Sequence, residues 1–117
     1  MTAFTFNLTP RRVREIETDF RRIHTEIPVP ESLPLLEKIR SYESNNALEQ
    51  LPVVWDRAED FQIFDPWGNC WIDFTSSIFV TNSGHGNHYV IEHIQKILTK
   101  PLLHSYYYPT QIRADFL

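Results

Sequence analysis

The spacing of hydrophobic positions changes along the chain, and each change predicts an element. Val13, Ile16, Phe20 and Ile23 recur at helical intervals. Thr9-Pro10 ahead of them supplies a helix entry, with a hydroxyl for the N-cap and a proline whose φ suits the first helical position. A helix is therefore expected from Pro10 to about Ile23. Ile27-Pro28-Val29-Pro30 must be extended, because each proline pushes its predecessor out of the helical region. A second helix is expected from near Ser32 to about Glu43, with Pro34 in its first turn. Its apolar face would carry Leu35, Leu36, Ile39 and Tyr42. Ser44-Asn45-Asn46 reads as a turn, and Leu51-Pro52-Val53-Val54-Trp55 as an extended lead into the next element.

From Phe61 the pattern turns aromatic and β-branched. Phe61-Gln62-Ile63-Phe64 and Cys70-Trp71-Ile72-Asp73-Phe74 flank Asp65-Pro66-Trp67-Gly68. Asp suits the first position of a turn, Pro presets φ at the second, and Gly tolerates the left-handed conformation at the fourth. A β-hairpin with a loop of about three to five residues follows. Small residues then lead through Ser76-Ser77-Ile78-Phe79-Val80-Thr81-Asn82-Ser83 to Gly84-His85-Gly86. A helix is expected from about Tyr89 to Thr99, with Val90, Ile91, Ile94, Ile97 and Leu98 as its stripe. Lys100 suits its negative end and Pro101 stops it. Thr110 is a further N-cap, with Ile112, Phe116 and Leu117 opening another apolar face. The expected class is α+β: amino-terminal helices, a hairpin that helps make a small antiparallel sheet, and a long helix.

Composition narrows the function classes. At 117 residues, 42% hydrophobic and 22% charged, the chain has the make-up of one small folded domain rather than a disordered segment. Its arginines cluster at Arg11, Arg12, Arg14, Arg21 and Arg22, which suggests a nucleic-acid or membrane stripe. Glu15, Glu17 and Asp19 are interleaved with them and the net charge is −4, so a solvated, ion-paired face is the better reading. No nucleic-acid partner is expected. No apolar run approaches the roughly 20 residues of a membrane span, and Met1 to Phe6 lack the order of a signal peptide. The single cysteine, Cys70, cannot close an internal disulfide and suits a reducing, cytoplasmic setting.

Candidate chemistry is sparse. His85, His88 and His93 suggest a metal, but the His85–His88 pair straddles a helix start and His88–His93 has the wrong spacing. No metal ligand is assigned. Gly84 and Gly86 are expected to permit positive φ or close backbone approach, with His85 hydrogen-bonded across the turn. Ser76 and Ser77 lack the Gly-x-Ser-x-Gly elbow of a serine nucleophile. Cys70 has no cationic neighbour to activate it and reads as an inert thiol.

The order of these pieces resembles the amino-terminal segment of class III, fold-type I, pyridoxal-phosphate-dependent aminotransferases, the family of the 4-aminobutyrate, ornithine and acetylornithine enzymes. The resemblance rests on Asp65-Pro66-Trp67-Gly68-Asn69, then Asp73-Phe74-Thr75-Ser76-Ser77, then Asn82-Ser83-Gly84-His85. It runs back through Ile27-Pro28-Val29-Pro30-Glu31-Ser32 and forward to Leu102-Leu103-His104-Ser105-Tyr106-Tyr107-Tyr108-Pro109. The family usually has Ser-Gly where this chain has Ser76-Ser77. The resemblance implies residues 1–26 as a helical extension and 27–117 as the start of the small domain, cut before the large cofactor-binding domain. It implies a homodimer that moves an amino group from an amine or amino acid to a 2-oxo acid, with pyridoxal 5'-phosphate as cofactor. Ile78, Phe79 and Val80 would line the substrate site, and Tyr108 would contribute across the dimer interface. The lysines are Lys38, Lys96 and Lys100, all on expected surface helices, so no catalytic or cofactor-binding residue is assigned and the chain alone is expected to be inactive. The alternative is a stand-alone interaction module, or the remnant of a degraded aminotransferase gene.

Overall fold

The computed structural model describes residues 5–43, 50–100 and 108–117. The turn expected at Ser44-Asn45-Asn46, the stop at Pro101 and residues 102–107 of the resemblance lie outside the described residues. The chain divides into two compact units, Met1–His85 and Gly86–Leu117, each described by itself.

The first unit is built on five short antiparallel strands: β1 (Ile16–Glu17), β2 (Arg22–Ile23), β3 (Arg57–Glu59), β4 (Gln62–Phe64) and β5 (Cys70–Ile72). Their order across the sheet is β1-β2-β5-β4-β3. The expected hairpin is β4 and β5, with Gln62 opposite Ile72, Ile63 opposite Trp71 and Phe64 opposite Cys70. Its loop is closed by Asp65, whose Oδ1 accepts from the amides of Trp67 and Asn69, both at 2.9 Å. Asn69 is fully buried and ties the loop to the residues that follow β2, the strand beside β5. Its Oδ1 accepts from the His24 amide at 2.8 Å, and its Nδ2 donates to Thr25 Oγ1 at 2.8 Å and to Asp65 Oδ2 at 2.6 Å. A buried amide of this kind is tolerated only because each polar group finds a partner. The apolar core of the unit is Ile23, Val29, Ile63 and Cys70.

The helix expected over residues 10–23 is not formed, and residues 5–29 contain no helix, so the helical extension over 1–26 is corrected. Ile16 and Glu17 instead pair with Ile23 and Arg22 around a turn. In that turn the amide of Thr18 donates to the Arg21 carbonyl at 2.9 Å, and Thr18 Oγ1 accepts from the Arg21 amide at 2.9 Å. Arg22 then pairs with Cys70, adding two strands to the edge of β5. Helical propensity is worth only tenths of a kcal/mol per residue, and the β-branched residues here suit a strand equally well. An unpaired edge of β5 offers backbone partners as well as a site for Ile23. The apolar spacing misleads because Ile23 alone of the four is buried, while Val13 and Phe20 stay exposed.

β3 was not expected, because Arg57-Ala58-Glu59 has no apolar alternation. It is held by its hairpin to β4, turning at Asp60 with φ 49°, and by the Arg57 guanidinium 3.6 Å over the Phe64 ring. The lead-in from Leu51 to Trp55 joins no strand, as expected of a linking piece. The second expected helix is α1 (Leu33–Tyr42), entered through a 3-10 turn, Pro30–Ser32. Leu36 and Ile39 are half-buried on its face, whereas Leu35 and Tyr42 are exposed.

In the second unit α2 spans His88–Leu98, close to the expected bounds. Asn87 caps it, its Oδ1 accepting from the amides of Tyr89 and Val90 at 3.1 and 3.2 Å. The final helix, α3 (Gln111–Phe116), starts at Thr110, whose Oγ1 accepts from the Arg113 amide at 3.2 Å. The molecule is thus α+β, with helices and a small antiparallel sheet.

Candidate functional site

The polar features of the sequence converge where β5 ends. Asp73 follows β5 and donates its amide to the Phe61 carbonyl at 2.8 Å, which turns its side chain into the loop that follows. The other wall is His85, whose amide and carbonyl pair with the carbonyl and amide of Asp60 at 2.7 and 2.9 Å. Gly84 makes this approach feasible: its φ is +88°, and a Cβ there would lie 3.3 Å from Asp60 Oδ1. The expected role of Gly84 and Gly86 therefore holds, both taking positive φ.

Between these walls the Asp73 carboxylate is only 3% exposed and the His85 side chain 10%. Asp73 Oδ1 accepts from the amide and the hydroxyl of Thr75, both at 2.8 Å. Asp73 Oδ2 accepts from the Ser77 amide at 2.9 Å and lies 2.8 Å from His85 Nε2. A carboxylate only accepts, so Nε2 carries the proton in this pair. Burial pushes the Asp73 acid up, but His85, both donors of Thr75 and the Ser77 amide together outweigh it and hold the group well below the usual carboxylate range. Thr81 Oγ1 is 3.4 Å from the same imidazole nitrogen, and the Trp55 ring meets His85 edge-on at 6.0 Å.

A cavity of about 220 Å³ opens beside the pair, lined by residues that include Asp60, Phe61, Ser76, Thr81 and His85. A serine hydrolase relay would need the imidazole to join an acid to a nucleophile. Here the histidine's side-chain partners are Asp73 and Thr81, and neither serine hydroxyl is among them. Both oxygens of Asp73 are already committed to two donors each, so the pair holds structure together rather than offering a free base.

The loop the pair closes is Ser76–Phe79, one helical turn of the left hand. Ser76, Ser77, Ile78 and Phe79 have φ of 48°, 50°, 58° and 68°. Phe79 donates to the Thr75 carbonyl at 3.0 Å, and Val80 and Thr81 both donate to the Ser76 carbonyl at 2.9 Å. Ile78, Phe79 and Val80 project from it, each about four-fifths exposed. Ile78 and Phe79 lie in the turn and Val80 follows it, so none of the three joins the sheet. Tyr108, in the second unit, is 71% exposed.

Of the other histidines, His88 lies against the Tyr89 ring at 4.2 Å, and His93 Nδ1 is 2.7 Å from the Tyr89 carbonyl one turn back. Among the described residues no group of three His, Cys, Asp or Glu is placed to hold a metal. Cys70 is buried, its thiol 3.4 Å from the Phe20 carbonyl. Lys38, Lys96 and Lys100 are all exposed, and a lysine that is to hold pyridoxal phosphate as a Schiff base must sit inside a pocket. The residues present therefore do not fit that cofactor by themselves. What sequence reasoning missed is Asp73. The signal was there, an Asp two residues before Thr75 at the end of a strand, a spacing at which a carboxylate caps its own turn.

No protein-family model matches the chain, and no curated protein matches it either.

Proposed function

We propose that the chain is the amino-terminal small-domain segment of a class III pyridoxal-phosphate-dependent aminotransferase and works as part of a longer, dimeric polypeptide. The observation that carries this reading is that the second and third pieces of the resemblance meet, His85 Nε2 lying 2.8 Å from Asp73 Oδ2, at the end of the strand that the first piece opens. The Asp65-to-Asn69 loop closes the β4–β5 hairpin, Asp73 follows β5, and His85 pairs with Asp73 and Asp60. A second observation supports it. Ser77 stands where the family usually has glycine, and its φ of 50° is the conformation glycine favours.

On this reading Ile78, Phe79 and Val80 form one wall of an amine-binding pocket, and Tyr108 reaches the pocket of the neighbouring subunit. All four are largely exposed. Pyridoxal phosphate, held by residues outside this chain, supplies the electron sink for amino transfer between an amine or amino acid and a 2-oxo acid. This chain binds and shapes; it supplies no proton-transfer group to the reacting atoms. A cytoplasmic location goes with this reading. Among the described residues no helix is long and apolar enough to cross a membrane.

The alternative, a stand-alone interaction module, is favoured by the exposed apolar faces of both units. The two separate on one experiment. The 117-residue chain and a polypeptide continuing beyond Leu117 are each incubated with pyridoxal phosphate, an amine panel and a 2-oxo acid. The aminotransferase reading expects turnover from the longer polypeptide and none from the chain alone. It also expects no borohydride-trappable adduct at Lys38, Lys96 or Lys100 of the chain. Turnover by the chain alone, or a longer polypeptide inert toward every amine, refutes it.

A further inference from the structure

Four consecutive non-glycine residues in a left-handed turn need something to hold them. Each L-residue disfavours that region, and a β-branched residue such as Ile78 disfavours it most. The backbone bonds that close the turn do not select its hand, because four-residue hydrogen-bonded turns form in either sense. Asp73 does supply a selection. Its two oxygens take the amides of Thr75 and Ser77, on either side of Ser76 where the left-handed run begins. His85, fixed by its backbone pairing with Asp60, holds Oδ2 from the opposite wall.

We propose that Asp73, braced by His85, is a positioning residue that selects the left-handed form of Ser76–Phe79 and thereby sets how Ile78, Phe79 and Val80 are presented. The carboxylate fastens the amides on either side of Ser76, where the run of positive φ begins. On the aminotransferase reading, and resting on it, Asp73 becomes a determinant of amine specificity at one remove. The clasp itself does not depend on that reading.

Amide hydrogen exchange resolved by residue, on the 117-residue chain, tests it. In the unaltered chain the Ser77 amide is protected. In Asp73→Asn, which keeps the shape and loses the charge, Ser77 exchanges about tenfold faster or more, while Ile63 and Trp71 in the β4–β5 ladder hold their rates. His85→Gln gives a smaller acceleration at the same amide. Ser77→Gly, which suits positive φ, leaves the fold intact and does not lower Tm. The proposal is overturned by a Ser77 amide that exchanges like an unstructured peptide in the unaltered chain, or by one indifferent to Asp73→Asn. It is also overturned by equal acceleration at Ser77, Ile63 and Trp71, which would make Asp73 a general stabiliser only. Absence of transamination would refute the aminotransferase reading and leave these rates unchanged, so the two fail separately.

Discussion

Asp73 is the residue at which sequence, energetics and proposed function meet. It is nearly inaccessible and carries four hydrogen bonds, two from amides, one from a hydroxyl and one from an imidazole. Hydrogen bonds to a charged group are worth more than neutral ones, so Asp73→Asn is expected to destabilise the first unit by roughly 1.5–3 kcal/mol, read from chemical denaturation. The pH dependence follows from the direction of its shift. The folded acid lies below its ordinary value of 3.8, so the stabilisation is complete above that value and is lost as pH falls below it. The unaltered chain should therefore lose stability in acid below about pH 4 more steeply than Asp73→Asn. Equal acid limbs for the two would contradict the assignment. Ile78 and Tyr108 answer a different question. Both are exposed, so Ile78→Ala and Tyr108→Phe should change Tm little. In a longer, active polypeptide Ile78→Ala should cost a substrate that fills the wall about 1–2 kcal/mol of binding. The ranking of amines by kcat/KM would then move toward bulkier ones. A large fall in Tm with an unchanged ranking would sink the pocket assignment.

The elements that depend on local chemistry were legible in the sequence, and those that depend on distant partners were not. Asp65 at the hairpin loop, Asn87 ahead of α2 and Thr110 ahead of α3 each act within a few residues of themselves. The hairpin and both of those helices accordingly form at or near their expected places. The strands β1 and β2 depend on the free edge of β5, some fifty residues later, and no window of spacing carries that information. β3 is formed by its hairpin to β4 and the Arg57 guanidinium over Phe64, and its own residues show no apolar alternation. The left-handed turn is still less legible, since Ser76 to Phe79 contain no glycine and the run depends on a contact with Asp73 and on His85 beyond it. A contrast between two side chains tests this division. Asn87→Ala removes an exposed cap and should cost about 1 kcal/mol of helix stability. Asn69→Ala removes the side-chain acceptor of the His24 amide, one of the contacts of Thr25 Oγ1 and the donor to Asp65 Oδ2, and a buried polar group left unsatisfied costs about 1–3 kcal/mol. If the two variants denature alike, the Asn69 network does not hold β2 to the hairpin.

Among the described residues, exposed large apolar side chains outnumber buried ones. Ile23, Val29, Ile63 and Cys70 are the buried hydrophobic residues among those described, while Phe74, Ile78, Phe79, Val80, Val90, Ile91, Ile94 and Leu98 are all exposed. Val90, Ile91, Ile94 and Leu98 share one face of α2, and such a face is stable in water only when something covers it. The isolated chain should therefore associate with itself as concentration rises, seen by sedimentation, and Ile94→Glu should reduce this. A monodisperse monomer at every concentration would contradict the expectation. The same imbalance fits a segment whose partners lie in the remainder of an enzyme. The most direct test is pyridoxal-phosphate-dependent amino transfer by the polypeptide that carries this sequence, purified from its own source. A polypeptide well above the 13.9 kDa of this chain that converts a 2-oxo acid to its amino acid at the expense of an amine is the predicted result. A 13.9 kDa protein with no transfer activity, or a larger one inert toward all amines with the cofactor present, would contradict it.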